Sequence, residues 1–463
     1  MRVRRRGATR AVVMTVSALL VASACGHSSS GTKSTATTTG SSATTAGGGG
    51  GAGDFGTLKA VCGPGSAKGA TDSGVSDTSI NVSTMSDPGF TGAPGLDQEL
   101  FDSADAFVGW CNAAGGILGR KLVLHKRDAA LTQVAAKMTE ACQQPDFMLV
   151  GNGEALDATG VQQRLSCNLP EITAYDVSAA AGTAKLSLQA IPTSDHQASL
   201  GGSFRALAAF DPSVKPKYGL ISSNQQSVKD SGNRDRAAAE SLGFVTASYQ
   251  EAPPTIDNYR PFVENLHTAG VQVLGIQANP SNDAGYFKSM ADVGYAPKYV
   301  LLNGNNYDPN LISLSGSTLS QFKGGVYINT YIVPFELADQ YPAVKQYLNL
   351  LTQYAGGAKP KSLGINGMSA WLLWAQSAKA CGSNLTRDCV MQNAAQAKNW
   401  TAGGLHAPSN PGNATSPSEQ CFVLLKATTS GFVVDKDITK PNNGVFNCDP
   451  ANSFDLKGFP QAS

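Results

Sequence analysis

The sequence predicts an α/β protein built on parallel sheets, and three observations carry that prediction. Ile80, Val82 and Thr84 alternate with Asn81 and Ser83, as in a half-buried strand. From Asp97 to Asn112, apolar residues recur at Leu100, Phe101, Ala104, Phe107, Val108 and Cys111, the spacing of one helix face, and Lys121 to His125 reads as a strand again. Strand, helix, strand is the repeating unit of a parallel sheet, and the same alternation returns after Tyr218.

The connector between that helix and its second strand is Asn112, Ala113, Ala114, Gly115, Gly116, Ile117, Leu118, Gly119, Arg120. Asp97 is placed to cap the helix, and Gly115 and Gly116 tolerate the left-handed backbone that a helix C-terminus requires. A helix from Leu131 to Cys142 follows, then the all-apolar run Phe147 to Val150, of the kind buried on both faces of a parallel sheet. That run delivers Asn152, Gly153 and Glu154. A helix near Leu156 to Ser166 leads to a strand at Pro170 to Thr173, which delivers Tyr175, Asp176 and Ser178. In open α/β sheets ligands sit beyond the carboxyl ends of the strands, where these polar loops fall.

A helix within Ser194 to Phe210 opens the second half. Strands are expected at Tyr218–Ile221, Phe244–Tyr249, Val271–Ile276 and Tyr299–Leu302, with helices over Lys229–Leu242, Tyr259–Ala269 and Asp283–Val293. The loops after these strands hold Gln226 and Ser227, then Asn279, then Asn303 and Asn305. Gly325 to Ile328 is expected to return the chain to the first half. Helices follow at Pro342–Tyr354 and Ile365–Ala380, the latter with Met368, Trp371 and Leu372 as core. Phe422–Leu425 is then a strand of the second half.

The succession Gly74 to Val82, then Phe90-Thr91-Gly92, then the Asn-Ala-Ala-Gly-Gly-Ile-Leu-Gly-Arg connector, then Asp128, resembles the opening of the leucine/isoleucine/valine-binding family of ABC-transporter substrate-binding proteins. The resemblance runs from about Gly74 to the end of the chain. It implies the type I periplasmic-binding-protein fold, two parallel-sheet lobes joined by three crossovers with a ligand between them. On that reading residues 54–194 and 325–420 form lobe 1, and 195–324 and 421–463 form lobe 2. In relatives that bind branched-chain amino acids, a hydroxyl-rich loop and an Ala-Thr loop hold the carboxylate and an opposite-lobe acid holds the ammonium. Asn152, Gly153 and Glu154 stand at the first loop, Tyr175 to Ser178 near the second, and Asn303 to Asn305 at the acid. The cleft is therefore expected to be rich in amides and poor in fixed charge, and a buried ammonium without an acidic partner is costly. A simple aliphatic amino acid is disfavoured, and an amide, polyol or aromatic acid fits better.

The N-terminus carries a targeting signal. Met1 to Arg6 is a basic start, Ala11 to Ala22 is apolar but short for a membrane span, and Ala22-Ser23-Ala24-Cys25 resembles a lipobox. Residues 1–24 are thus expected to be a signal peptide, with Cys25 lipidated and anchoring the protein to the outer face of a bacterial membrane. From Gly26 to Gly53 every residue except His27 and Lys33 is Gly, Ser, Thr or Ala, a flexible tether with a span of roughly 30 Å.

Of the nine cysteines, removing Cys25 leaves an even set, Cys62, Cys111, Cys142, Cys167, Cys381, Cys389, Cys421 and Cys448, as disulfides in an exported chain demand. Connectivity is not fixed by sequence. Proximity and element ends that could meet favour Cys62–Cys111, Cys142–Cys167, Cys381–Cys389 and Cys421–Cys448. A net charge of +1 over 463 residues gives no reason to expect nucleic acid. No catalytic or metal motif is present, and the histidines are dispersed, so no enzyme, metal or cofactor is expected. Glu154 and Asp176 are the one candidate acid/base pair. The expected partners are a small solute, the permease subunits of an ABC transporter and the membrane, with the protein itself a monomer. A ligand-sensing module for a membrane signalling partner is the alternative.

Overall fold

A computed structural model describes residues 51–192, 198–412 and 420–455. Its first lobe is a five-stranded sheet of β1 (Ser79–Ser86), β2 (Lys121–Asp128), β3 (Met148–Val150), β4 (Glu171–Thr173) and β5 (Ser187–Gln189). The order is β2-β1-β3-β4-β5, and every pairing is parallel. A short strand β6 (Ala198–Leu200) precedes the second lobe. There β7 (Tyr218–Ser223), β8 (Thr246–Ala252), β9 (Val273–Ile276), β10 (Tyr299–Leu302), β11 (Gly325–Thr330), β12 (Cys421–Thr428) and β13 (Gly431–Val434) run in the order β13-β12-β11-β10-β9-β7-β8. The pairings from β8 to β11 are parallel, and β12 and β13 are antiparallel additions at the edge. Beyond them, β14 (Asn447–Cys448) pairs with β12 and β15 (Ser453–Asp455) with β6.

This is the two-lobed α/β architecture that the alternation of strands and helices predicts. One boundary differs. Gly325–Thr330 was expected to carry the chain into the first lobe, yet it is hydrogen-bonded between β10 and β12 and belongs to the second sheet. Both sheets bury such a strand on two faces, so its composition does not say which one it joins. The crossing follows Thr330, and the helices Pro342–Tyr354 and Ser362–Ala380 then pack on the first lobe. Trp371 and Trp374 of the latter are wholly buried, with Trp371 stacked on Phe107 at 5.3 Å.

The connector behaves as its composition requires. The helix Gln98–Ala114 ends at Gly115 (φ 120°) and Gly116 (φ 81°), and a Cβ on Gly116 would sit 2.0 Å from the Arg120 carbonyl oxygen. Arg120 is 1% exposed and donates to the carbonyls of Ser76, Gly69 and Gly382, so the motif's arginine is a staple. Asp97, by contrast, does not cap the helix. It has a left-handed backbone (φ 54°) and its carboxylate accepts from the Tyr175 hydroxyl at 2.6 Å.

The tether was expected to end at Gly53, but the fold begins slightly earlier. Trp110 donates to the Ala52 carbonyl and Val61 to that of Gly53, so these residues already lie against lobe 1. The expected signal peptide, Cys25 and the rest of the expected tether lie outside the described residues.

The four disulfides are Cys62–Cys111, Cys142–Cys167, Cys381–Cys389 and Cys421–Cys448. The first closes a 49-residue span, for which loop entropy gives about 4 kcal/mol of stabilisation, against about 2.5 kcal/mol for the eight-residue span of the third. Replacing Cys62 and Cys111 together by serine is expected to lower the denaturation midpoint more than the same change at Cys381 and Cys389, as a urea titration would read.

Candidate functional site

The carboxyl ends of the parallel strands of both sheets face a common cleft, which holds a cavity of about 330 Å³. This is at the small end of the roughly 300–1,000 Å³ of small-molecule sites. Its two walls differ. The first lobe contributes mostly apolar groups from loops, Phe90, Leu96, Leu131, Leu156 and Val177, with Asp97, Tyr175 and Asp176 among them. From the second lobe come the polar groups Gln225, Arg234, Asp235, Gln277, Asn279, Asn303 and Asn305, together with apolar ones such as Ile221, Val228, Pro253, Pro254 and Ile256.

Of the residues singled out from sequence, Tyr175, Asp176, Asn279, Asn303 and Asn305 line this cavity. Asn152, Gly153, Glu154, Ser178, Gln226 and Ser227 do not. Asn152 is buried behind the wall and donates to Glu171 at 3.2 Å. Glu154 is 4% exposed behind the cavity wall, and burial beside Glu171, Asp87, Asp157 and Asp176 pushes its carboxyl well above the usual range. Gly153 is a spacer: a Cβ there would lie 2.4 Å from the Tyr175 ring. Ser178 caps the short helix Ala179–Gly182, and Gln226 turns outward to Asp230 at 2.8 Å.

Ser227 and Asp157 instead join the lobes. Asp157 accepts from the backbone N–H of Val177 at 2.6 Å and of Ser178 at 3.2 Å, and its Oδ1 also accepts from the Ser227 hydroxyl of the opposite lobe at 3.4 Å. Three further contacts cross the cleft. Arg234 donates to the Val177 carbonyl at 3.2 Å, Lys361 bridges Glu99 at 3.6 Å and Asp308 at 3.1 Å, and the Ser362 hydroxyl donates to the Gly304 carbonyl. The lobes are closed on one another.

The wall is rich in amides, as expected, and carries several ionisable groups besides. Asp97, Asp176 and Asp235 all line the cavity, and Arg234 is the only cation among its described lining residues. Arg234 and Asp235 lie in the middle of the helix Gln226–Ser241, where charge reads in sequence as a solvated face. Phe90 sits in a loop, and Leu131 and Leu156, expected as the first residues of helices, lie in the loops just before Val134–Gln143 and Asp157–Gly160. Burial, with Glu99 adding repulsion, raises the Asp97 carboxyl to about 8, and burial raises that of Asp235 to about 6 against the pull of Arg234 and Gln277. Asp176 is pushed well up, also chiefly by burial.

Two predictions follow from this geometry. Gly153→Ala forces the Tyr175 ring aside and is expected to cost about 1–3 kcal/mol in chemical denaturation. A carboxyl whose folded value is raised takes up a proton on folding, so its contribution is full below the unfolded value near 4 and is lost as pH rises through the folded one. The ligand-free protein is therefore expected to melt at progressively lower temperature as pH rises through about 6 and then about 8, the values of Asp235 and Asp97. Asp97→Asn is expected to flatten the upper part of that decline.

A profile of the periplasmic binding protein family matches residues 89–431. A search of curated protein sequences gives no match. Among solved structures, a fatty acid ABC transporter substrate-binding protein from Thermomonospora curvata superposes with a TM-score of 0.64 at 17% identity, over 81% of this chain and 95% of that one. A solute-binding protein from R. palustris in complex with 4-hydroxybenzoate gives 0.62 at 14% identity, over 77% and 95%. A branched-chain amino acid ABC transporter protein from Thermus thermophilus with bound valine gives 0.62 at 14% identity, over 78% and 99%. These likenesses establish the shared fold, and the profile spans most of the chain. No helix among the described residues is long and apolar enough to cross a membrane. The chain belongs to the periplasmic binding protein family and is thus an extracytoplasmic solute-binding protein.

Proposed function

We propose that the protein captures a small polar molecule between its lobes and delivers it to an ABC permease, working from a lipid on Cys25 at the outer face of a bacterial membrane. The interlobe cavity carries this reading. It draws its walls from two separate sheets, so a ligand seated there bonds to both lobes at once and favours their closed arrangement by its differential affinity. A permease can then distinguish loaded from empty protein by shape. The lipobox and the Gly/Ser/Thr tether support a folded body held close to the membrane yet free to reorient. The three structural relatives are a fatty acid transporter protein and proteins bound to 4-hydroxybenzoate and to valine, so the fold accepts varied cargo and leaves the solute to the lining residues.

Native mass spectrometry of the purified protein, before and after mild denaturation, is the direct test. Release of one small molecule per chain is expected. A protein that is empty on isolation, and that no solute stabilises in a broad thermal-shift screen, would overturn the proposal. Ser227→Ala removes only the hydroxyl that reaches Asp157 across the cleft. It is expected to weaken solute binding by about 0.5–1.5 kcal/mol in calorimetry while leaving the fold intact.

A further inference from the structure

We infer that the second lobe selects an uncharged head group rich in hydrogen-bond donors and rejects carboxylates, and that Asp235 is the residue that sets this preference. The inference rests on the solute-binding reading and names the chemistry of its ligand.

An amide side chain can present either its oxygen or its nitrogen, so a wall of asparagines is ambiguous until something fixes each one. Here a relay does so. An ionised carboxylate only accepts, so Asp235 draws the amide nitrogen of Gln277, which donates to Asp235 Oδ2. Gln277 must then turn its oxygen the other way, where it accepts from the Asn303 amide nitrogen. Asn303 is left presenting its oxygen. Asn305 reaches the same state independently: its nitrogen donates to the Ala278 carbonyl at 3.2 Å, and its Oδ1 is buried without a partner. A buried acceptor left unmatched costs about 1–3 kcal/mol, and a ligand that supplies the missing donor recovers it.

The remaining groups agree. Asn279 runs the opposite way, because its Oδ1 caps the helix Pro280–Val293 by accepting from Asn282, so its nitrogen offers the wall one donor. Tyr218 and Tyr286 also line the cavity with hydroxyls lacking partners, and a hydroxyl serves as donor or acceptor alike. Asp176 Oδ2 is a further buried oxygen without a partner, and burial pushes its carboxyl up, toward the form that can donate as well as accept. Arg234 is the one cation among the described lining residues, but it donates to the Val177 carbonyl and its charge acts on the adjacent Asp235. A carboxylate ligand would bring oxygen to oxygen at Asn303 and Asn305. Hydroxyl or carboxamide groups match them, and the ligand's apolar part fits against Phe90, Leu96, Leu131 and Leu156.

The test is a thermal-shift and calorimetry screen of the purified protein against two matched sets. One holds uncharged polyols and carboxamides, among them myo-inositol, sorbitol, benzamide and nicotinamide. The other holds carboxylates, among them leucine, valine, 4-hydroxybenzoate and octanoate. Binding tighter than about 10 µM is expected from the first set alone. Asp235→Asn frees Gln277 and Asn303 to reverse, and is expected to weaken the best uncharged ligand at least about tenfold while admitting carboxylates. Gln277→Met, which breaks the relay at its centre, gives the same loss if the first variant misfolds. A carboxylate that binds the unaltered protein tighter than the whole uncharged set, or variants with unchanged selectivity, would overturn the inference and leave the solute-binding function standing. Silence from both sets, with no molecule released on denaturation, would overturn both.

Discussion

Asp157 is the point on which the cleft depends. Its carboxylate holds the loop after β4 by two backbone N–H groups and takes a third hydrogen bond from Ser227 on the other lobe. The first pair shapes one wall of the cavity, and the third bond sets how far the other wall can approach. A carboxylate can do both because it accepts several donors at once, and buried charge-assisted hydrogen bonds are stronger than neutral ones. Burial pushes this carboxyl up while its backbone donors pull it down. Shape of the site and closure of the lobes therefore share one side chain.

The fold was legible because it is periodic. Tyr299–Leu302 and Pro342–Tyr354 have the bounds that their apolar patterns give, since one is a short buried run and the other an amphipathic helix opened by proline. Gly325–Thr330 went to the wrong lobe because a strand buried on both faces carries no mark of its neighbours. Only the pairing with β10 and β12 decides it.

The site was legible where it follows from strand ends and obscure where it does not. Asn279, Asn303 and Asn305 stand directly after strands, and a parallel sheet delivers them to the cleft. Asn152 and Glu154 also follow a strand, but their loop turns inward against Glu171 and a group of acids, and sequence does not tell a loop that faces the ligand from one that backs it. Arg234 and Asp235 were missed for the opposite reason. They are polar residues in mid-helix, normally solvated, and they reach the cavity only because the lobe closes over that helix face.

The cross-links are unevenly shared. Cys62–Cys111, Cys142–Cys167 and Cys381–Cys389 fasten the first lobe, whereas the second has only Cys421–Cys448, at the antiparallel edge of its sheet and away from the helices that reach the cleft. The first lobe is thus the more heavily cross-linked half. The second lobe has one such cross-link, and beyond it packing, hydrogen bonds and ion pairs such as Lys229–Glu251 and Lys298–Asp211 hold it. Substitutions in that half meet fewer covalent constraints, so cargo preference can change there without disturbing the frame beneath.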